Sequence, residues 1–204
     1  MEIACLDLEG VLVPEIWIGL AERTGIEELR ATTRDIPDYT QLMRQRLGLL
    51  EKHRLGYADL QEVIGGLEPL PGAIEFVDWL RERFQLVILS DTFYEFAKPL
   101  MRQLGWPTLL CHRLQIDESG KVTDFHLRQS DPKRHAVMAF QGLHYRVIAA
   151  GDSYNDTTML AQAEAGILFS APDKVREEFP QFPAVDSYEE LQSEFLKASL
   201  EVTQ

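Results

Sequence analysis

The stretch that decides the fold is IACLDLEGVLV, residues 3–13. Its first four residues form an apolar run that predicts a buried β-strand, and Gly10 follows soon after the run ends. Asp7 and Glu9 stand at the carboxyl end of this strand. Because a carboxylate is costly to bury without compensation, these acids either mark the point where the strand reaches solvent, or hold a cation or do chemistry.

The composition describes a globular protein that carries an excess of negative charge. At 204 residues, with 45% hydrophobic and 26% charged residues, the chain suits one sizeable domain or one domain with an inserted subdomain. The formal net charge is −13, from 20 basic and 33 acidic residues. This balance argues against nucleic acid and anionic membrane surfaces as partners. A small anionic substrate would need local compensation from a metal ion or from a few placed lysines and arginines.

Both cysteines, Cys5 and Cys111, stand inside predicted strands, where free buried thiols of a reducing compartment are the simplest interpretation. A Cys-x5-Arg phosphatase loop is excluded, because Val11 and Asp117 occupy the positions that would need arginine. No stretch approaches 18 apolar residues, and the N-terminus has no charged segment followed by an apolar core. We predict a cytoplasmic protein without a membrane partner, and its oligomeric state is left open between a monomer and a homodimer.

The spacing of apolar residues divides the chain into two parts. Between residues 14 and 71 they recur at helical spacing, as at Ile16 and Leu20, without strand signals. Thereafter helical patterns alternate with strand patterns, which predicts a mostly parallel sheet covered on both faces. The fold class is therefore α/β, with a Rossmann-like core (residues 1–13 and 72–204) and a small all-helical cap inserted after the first strand (residues 14–71). The predicted strands after the cap are QLVILS (85–90), TLLC (108–111), YRVIAAG (145–151) and GILF (166–169), with a hairpin at RLQIDESGKVTDFHL (113–127).

Polar side chains stand where ligands bind in open α/β sheets, at the carboxyl ends of the strands. Ser90 ends the second predicted strand, Asp152 follows the strand at residues 145–151, and Lys133 begins the helix before that strand. Each alone has an ordinary explanation, such as a helix cap or a solvated lysine. Together with Asp7 at the same edge, they form a set suited to phosphoryl transfer.

The chemistry of phosphoryl transfer accounts for these residue types. Mg²⁺ takes oxygen ligands and usually only one or two protein carboxylates, which Asp7 and Asp152 would supply. An aspartate can also attack phosphorus and form an aspartyl-phosphate. Lys133 and the Ser90 hydroxyl would offset the charge on the transferred phosphoryl group. Glu9 is placed to shuttle the proton.

Four motifs resemble those of the haloacid dehalogenase-like phosphatase superfamily, occur in the same order and span almost the whole chain. They are DLEGV, ILSDT, Lys133 and GDSYND. The helical segment lies where that superfamily places its first type of cap. The resemblance implies a Mg²⁺-dependent hydrolase. It also implies that Asp7 is the nucleophile, that Glu9 is the acid/base, and that Ser90 and Lys133 contact the phosphate. By the same resemblance Asp7, Asp152 and the Glu9 main-chain carbonyl bind the metal ion, and Asn155 and Asp156 orient the site.

The cap resembles that of phosphoserine phosphatases, which supplies a glutamate and an arginine to the amino-acid end of the substrate. Glu15 and Arg46 fall at the positions expected for these two residues. A guanidinium suits the substrate carboxylate and a carboxylate suits its ammonium group. Glu15 is also explained as an acid at a helix N-terminus, and Arg46 as part of a solvated helix face, with Arg44 as a competitor for the substrate.

Two departures from the usual motifs resemble a subgroup of phosphoserine phosphatases that also pass the phosphoryl group to homoserine. Glu9 replaces the usual second aspartate, and Asp91–Thr92 stand where two glycines are usual. Phosphoserine is therefore the expected substrate and homoserine a candidate acceptor beside water, with Asp91 a candidate partner for the ammonium group of the acceptor. The alternatives are a phosphatase of another small metabolite and, in a different class, a phospho-receiver domain. A P-loop kinase is excluded, because G-x4-G-K-[ST] is absent.

Overall fold

The computed structural model describes residues 1–32, 35–36 and 38–200. The strands are β1 (Glu2–Leu6), β2 (Gln85–Phe93), β3 (Thr108–Ile116), β4 (Val122–His126), β5 (Arg146–Gly151), β6 (Ala165–Phe169) and β7 (Ala184–Val185). The helices are α1 (Ile16–Thr24), α2 (Tyr39–Lys52), α3 (Tyr57–Gly65), α4 (Ala73–Arg81), α5 (Tyr94–Gln103), α6 (Pro132–Gly142), α7 (Thr157–Gln162), α8 (Asp173–Glu178) and α9 (Tyr188–Ala198). Two 3-10 turns lie at Glu27–Arg30 and Tyr154–Asp156.

The seven strands form one sheet in the order β4-β3-β2-β1-β5-β6-β7. Every neighbouring pair is parallel except β3 and β4, which form the predicted hairpin. β1 lies at the centre, with Leu6 paired to Ile88 of β2 on one side and to Ala150 of β5 on the other. The residues that follow these strands therefore meet at one edge of the sheet, as the sequence predicts.

Apolar side chains cover both faces of the sheet, which confirms the predicted α/β layering. Along β1, Ala4 and Leu6 belong to one buried cluster, while Ile3 and Cys5 belong to another. This alternation is the period of two expected for a strand that is buried on both faces. Both Cys5 and Cys111 are buried free thiols.

The described residues between β1 and α4 contain helices α1, α2 and α3. Gly25 ends α1 with a φ of 71°, a left-handed conformation that glycine adopts without strain. Tyr39, the first residue of α2, donates a hydrogen bond of 2.9 Å from its hydroxyl to the main-chain oxygen of Asp91, at the sheet edge. That residues 14–71 form a cap distinct from the core at 1–13 and 72–204 stays a prediction; these ranges include residues 33, 34, 37 and 201–204, which lie outside the described residues.

Three parts of the fold differ from the sequence prediction. β2 continues past Ser90 to Phe93, and β3 runs without a break from Thr108 through the first arm of the hairpin. The C-terminal elements α8, β7 and α9 were not predicted, although Ser187 and Glu190 form a capping box that marks the start of α9. Among the described residues, none of the helices has the length and apolarity needed to cross a membrane.

Candidate active site

Asp7 is the first residue after the central strand, and its side chain is buried. Its main-chain N–H donates to Ala150 O at 3.0 Å, so β5 fixes the position at which the carboxylate leaves the sheet. The residue is only 4% exposed. Burial and the neighbouring Asp156 raise the pKa of Asp7 well above its usual range, and Lys133 opposes them. A carboxylate held this way needs a positive group beside it.

Lys133 supplies that positive group from the first turn of α6. Its Nζ lies 2.8 Å from Asp7 Oδ1, 2.7 Å from Asp156 Oδ1 and 4.0 Å from Asp91 Oδ2. Burial alone would lower the pKa of Lys133, but the charges of Asp156 and Asp7 outweigh it and raise the pKa well above its ordinary value. The lysine therefore stays charged at the point where the carboxylates converge.

Asp152 and Asp156 complete a group of acids around Asp7. Carboxylate oxygens of these three residues lie within 4.8 Å of one another. Asp156 is fully buried, and its Oδ2 accepts hydrogen bonds from the main-chain N–H groups of Asp152, at 3.0 Å, and of Ser153, at 3.1 Å. Its other oxygen contacts Lys133, so both oxygens of Asp156 have partners, whereas Asp7 and Asp152 keep oxygens for a ligand among the described residues. Burial and the charge of Asp156 raise the pKa of Asp152 to about 7.

This donor set fits Mg²⁺, because the three carboxylates outnumber the one ammonium group and carboxylate oxygens are the ligands that the ion prefers. Gly10 brings the chain close to Asp152: its φ is 79°, and a Cβ at this position would collide with the Asp152 carboxylate. Gly10, inside the first motif, is therefore needed for both its conformation and its small size.

Glu9 lies beside the acidic group but turns its side chain towards α1. Its Oε2 accepts from the main-chain N–H of Ile16 at 3.3 Å, and its carboxyl also contacts Thr92 and Glu15. Burial and the neighbouring Glu15 raise the pKa of Glu9 to about 8, so its side chain can carry a proton at neutral pH. A group that holds a proton beside a buried aspartate is suited to general acid catalysis.

The pairing of β2 with β1 ends at Ile88, and Ser90 follows two residues later. Ser90 is 4% exposed. Its Oγ accepts a hydrogen bond of 3.2 Å from the main-chain N–H of Thr92. The structure thus brings Ser90 to the same edge of the sheet as Asp7, on the neighbouring strand.

Arg46 and Arg44, two positions apart on α2, lie in different surroundings. Arg46 is buried, with its guanidinium 4.5 Å from the ring centroid of Trp17, and its Nη2 donates to Ala31 O at 2.9 Å. Burial lowers the pKa of Arg46. Its Nε has no hydrogen-bond partner within the described parts of the chain. Arg44 instead forms an exposed ion pair with Asp124 of β4 at 2.9 Å, so of the two it is Arg46 whose unpaired donor is buried.

Glu15, the second predicted contact for the amino acid, is exposed immediately before α1. Glu15 is the N-cap residue of α1, the position at which the helix dipole favours an acid, and its side chain makes no capping hydrogen bond to the helix. It contacts Glu9 instead.

Asp91 has partners that sequence reasoning missed. Its Oδ1 lies 3.5 Å from Nε2 of His112, and its Oδ2 accepts from Asn155 Nδ2 at 2.9 Å. His112 lies on β3, and Tyr39, whose hydroxyl donates to the main-chain oxygen of Asp91, lies on α2. Nothing in the local sequence pattern of β3 or α2 marks either residue as part of a site. Their proximity follows from strand register and helix packing, which only the folded structure reveals.

A family model described as haloacid dehalogenase-like hydrolase matches residues 1–164. The chain is 72% identical to Phosphoserine phosphatase ThrH of Pseudomonas aeruginosa over 98% of its own length and 97% of the relative's. It is 71% identical to Phosphoserine phosphatase of Pseudomonas syringae pv. tomato, over 98% and 84%. A solved phosphoserine phosphatase in its apo form shares the fold, with a TM-score of 0.76, 22% identity and coverage of 94% of this chain and 98% of the other. The chain belongs to the haloacid dehalogenase-like hydrolase family, among its phosphoserine phosphatase members.

Proposed function

We propose that this enzyme is a Mg²⁺-dependent phosphoserine phosphatase that works through an aspartyl-phosphate on Asp7 and also transfers the phosphoryl group to homoserine. The observation that carries the proposal is the buried pair of Asp7 and Lys133 at the end of the central strand, with Nζ 2.8 Å from Oδ1. In this proposal Asp7 is the nucleophile and Lys133 is the phosphate-binding cation beside it. The 72% identity to a protein named phosphoserine phosphatase supports the choice of substrate.

The amino-acid end of the substrate would meet Arg46 and Glu15. The Nε of Arg46, which lacks a hydrogen-bond partner among the described residues, is available to the substrate carboxylate. Because a buried unpaired donor is unfavourable, filling it with an oxygen of the substrate would contribute to binding. The exposed carboxylate of Glu15 suits the ammonium group.

In the first half-reaction, Asp7 attacks phosphorus. A bond forms between the Asp7 carboxylate oxygen and phosphorus, and the bond from phosphorus to the serine oxygen breaks. Glu9 gives its proton to that departing oxygen, which releases neutral serine hydroxyl. Lys133 and Ser90 hold the phosphoryl oxygens, and Asp156 keeps Lys133 in place through its 2.7 Å contact.

In the second half-reaction, a hydroxyl attacks the aspartyl-phosphate. Glu9, now deprotonated, takes the proton from water or from the homoserine hydroxyl, and the bond between phosphorus and the Asp7 oxygen breaks. The products are inorganic phosphate in the first case and phosphohomoserine in the second. Bound Mg²⁺, held by Asp7, Asp152 and the Glu9 carbonyl, would offset the charge of the phosphoryl oxygens.

The experiment that tests this function is phosphorus NMR of phosphoserine with the protein and Mg²⁺, with and without homoserine. Free phosphate in both samples and a phosphohomoserine signal in the second support the proposal. An unchanged phosphoserine signal would refute it and favour a phosphatase of another small metabolite. We also propose a cytoplasmic setting, to which the buried thiols of Cys5 and Cys111 are suited.

A further inference from the structure

Lys133, the proposed phosphate-binding cation, faces three carboxylates but contacts only two of them closely. Its Nζ lies 2.8 Å from Asp7 Oδ1 and 2.7 Å from Asp156 Oδ1, whereas Asp91 Oδ2 is 4.0 Å away. An ammonium group carries three hydrogens, so one remains for a further acceptor once Asp7 and Asp156 are paired. Because Asp91 stays outside hydrogen-bond distance, that hydrogen is available to a phosphoryl oxygen.

The Asp91 carboxylate is engaged by partners on other elements. Its Oδ2 accepts from Asn155 Nδ2 at 2.9 Å, in the 3-10 turn after β5, and its Oδ1 lies 3.5 Å from Nε2 of His112 on β3. The main-chain oxygen of Asp91 accepts from the Tyr39 hydroxyl at 2.9 Å. The main chain and the side chain of Asp91 are thus both held, although the side chain is 30% exposed.

The surroundings of His112 fix it as a donor towards Asp91. The main-chain N–H of Arg128 donates to Nδ1 at 3.1 Å, so Nδ1 carries no hydrogen and Nε2 carries it. His112 is buried, and its ring centroid lies 6.2 Å from that of Phe93 and 6.5 Å from that of Tyr39. Packing therefore fixes the imidazole, and its one available N–H faces the Asp91 carboxylate.

We propose that His112 is a positioning residue that, with Asn155, holds the Asp91 carboxylate away from Lys133, and that Asp91 lowers the affinity of the site for phosphate. This inference rests on the part of the proposed function that assigns Lys133 to the phosphate. A carboxylate repels a phosphate dianion bound to Lys133, so Asp91 favours release of the inorganic phosphate that hydrolysis produces. Closer to Lys133, the same carboxylate would take the hydrogen that the phosphoryl group needs.

The electrostatics of Asp91 support this inference. Burial acts to raise the pKa of Asp91, but the charge of Lys133 and the hydrogen bonds from His112 and Asn155 outweigh it and hold the pKa well below the usual range. A full negative charge therefore stands 4.0 Å from Lys133 Nζ. In a site that is largely shielded from water, a charge at this distance has a measurable effect on a bound anion.

The first test removes the charge of Asp91 and measures the dissociation constant of inorganic phosphate. Thermal unfolding at a fixed, saturating concentration of Mg²⁺ and increasing concentrations of phosphate gives this constant independently of catalysis. Asp91→Asn, which keeps the shape of the side chain, should bind phosphate roughly tenfold more tightly than the wild-type protein. The matched control is Glu118→Gln, which removes one negative charge from the exposed turn between β3 and β4 and should leave the constant unchanged.

The second test moves the charge of Asp91 instead of removing it. His112→Phe keeps a ring of similar size but removes the donor, and Asp91→Glu lengthens the side chain so that it can reach Lys133. Both variants should bind phosphate several-fold more weakly than the wild-type protein, because the carboxylate can then pair with Nζ. His112→Gln, whose amide can still donate, should recover part of the affinity. His126→Phe, at an exposed position of β4, should leave the affinity unchanged.

A double-mutant cycle separates positioning from a structural role. Without a charge at position 91, His112→Phe should no longer weaken the binding of phosphate, so the double variant should resemble Asp91→Asn alone. Asp91→Glu keeps the test of position decisive if His112→Phe, which leaves the Arg128 N–H without its partner, does not fold.

Three outcomes would overturn the inference. Phosphate binding that is unchanged, weaker or absent in Asp91→Asn would show that Asp91 does not oppose the anion. Unchanged or tighter binding in Asp91→Glu would show that the distance to Lys133 is immaterial. An equal loss from His112→Phe with and without the charge of Asp91 would make His112 merely structural.

These outcomes are distinguishable from a failure of the proposed function. Wild-type hydrolysis of phosphoserine beside any of the three would leave the proposed function standing and overturn this inference alone. No hydrolysis of phosphoserine, with the phosphate affinities in the expected order, would overturn the proposed substrate and support the assignment of Asp91 and His112.

Discussion

Lys133 Nζ lies 2.8 Å from Asp7 Oδ1, and the two side chains are only 2% and 6% exposed. Removing two charges from water is unfavourable, and their mutual attraction compensates for it only while both partners are present. Lys133 Nζ also forms an ion pair with Asp156 Oδ1, at 2.7 Å. One ammonium group therefore contacts both the proposed nucleophile, Asp7, and the buried acid Asp156, and its loss should affect stability as well as chemistry.

Lys133→Met should destabilise the protein by roughly 3–5 kcal/mol, because the charges of Asp7 and Asp156 would stay buried without a partner. Urea unfolding at neutral pH measures the change. Adding Mg²⁺ should recover part of it by supplying positive charge to the same acids. The control is Lys121→Met, which removes an exposed ion pair with Glu51 and should have no measurable effect. Equal stability of the two variants would contradict the stabilising role of the buried contacts of Lys133 with Asp7 and Asp156.

Asp7→Asn should lower phosphoserine hydrolysis about a thousandfold or more while the protein remains folded, because it removes the attacking oxygen and a metal ligand together. Circular dichroism and the rate of phosphate release check the two parts. In the wild-type protein, a beryllium fluoride analogue of the phosphoryl group should form its adduct on Asp7. An adduct on Asp152 would refute the assignment of the nucleophile.

The features that the sequence predicted and those that it could not predict differ in physical origin. Strand periodicity and the motifs at strand ends are local, and they placed Asp7 at the edge of a parallel sheet. The contact between His112 and Asp91 depends on the register of β3 against β2, to which no local pattern points. Arg44 and Arg46 are two residues apart on one helix and so face different directions. Only the packing of α2 decides which of them is turned inward.

Magnesium should stabilise the protein, because the acids around Asp7 repel one another and converge within 4.8 Å. A hundredfold excess of the ion over its dissociation constant corresponds to about 2.7 kcal/mol, which thermal unfolding with and without Mg²⁺ detects independently of activity. Asp152→Asn should lose most of this stabilisation, whereas Glu118→Gln, exposed in the hairpin turn, should keep it. Chelation should stop hydrolysis, and Ca²⁺ should support it poorly because its larger coordination shell misplaces the attacking oxygen. Full stabilisation of Asp152→Asn by Mg²⁺ would mean that the metal ion binds at a different site.

Arg46→Ala should weaken the use of phosphoserine far more than that of phosphoethanolamine, which has no carboxylate. The loss of a charge-assisted contact corresponds to roughly 1.5–3 kcal/mol, or about ten- to a hundredfold in kcat/KM for phosphoserine. Arg44→Ala is the matched control on the same helix, since its partner is Asp124. Because Arg46 also packs on Trp17, the folding of the variant is checked by thermal unfolding. Equal losses for both substrates would make Arg46 structural.

Glu9→Asp should lower transfer to homoserine relative to hydrolysis. In the proposed mechanism both reactions share the aspartyl-phosphate on Asp7 and differ only in which hydroxyl attacks it, so the general base must lie within about 2.6–3.2 Å of either oxygen. The Glu9 carboxylate reaches the Ile16 N–H at 3.3 Å, and shortening the side chain by one methylene withdraws it from this contact. The position of the carboxylate would then change. A small water molecule can follow this change more readily than an amino alcohol that is held by its ammonium and carboxylate groups. The measurement is the ratio of phosphohomoserine to free phosphate at a fixed concentration of homoserine. If both rates fall by the same factor and the ratio is unchanged, Glu9 is the shared acid/base and does not select the acceptor.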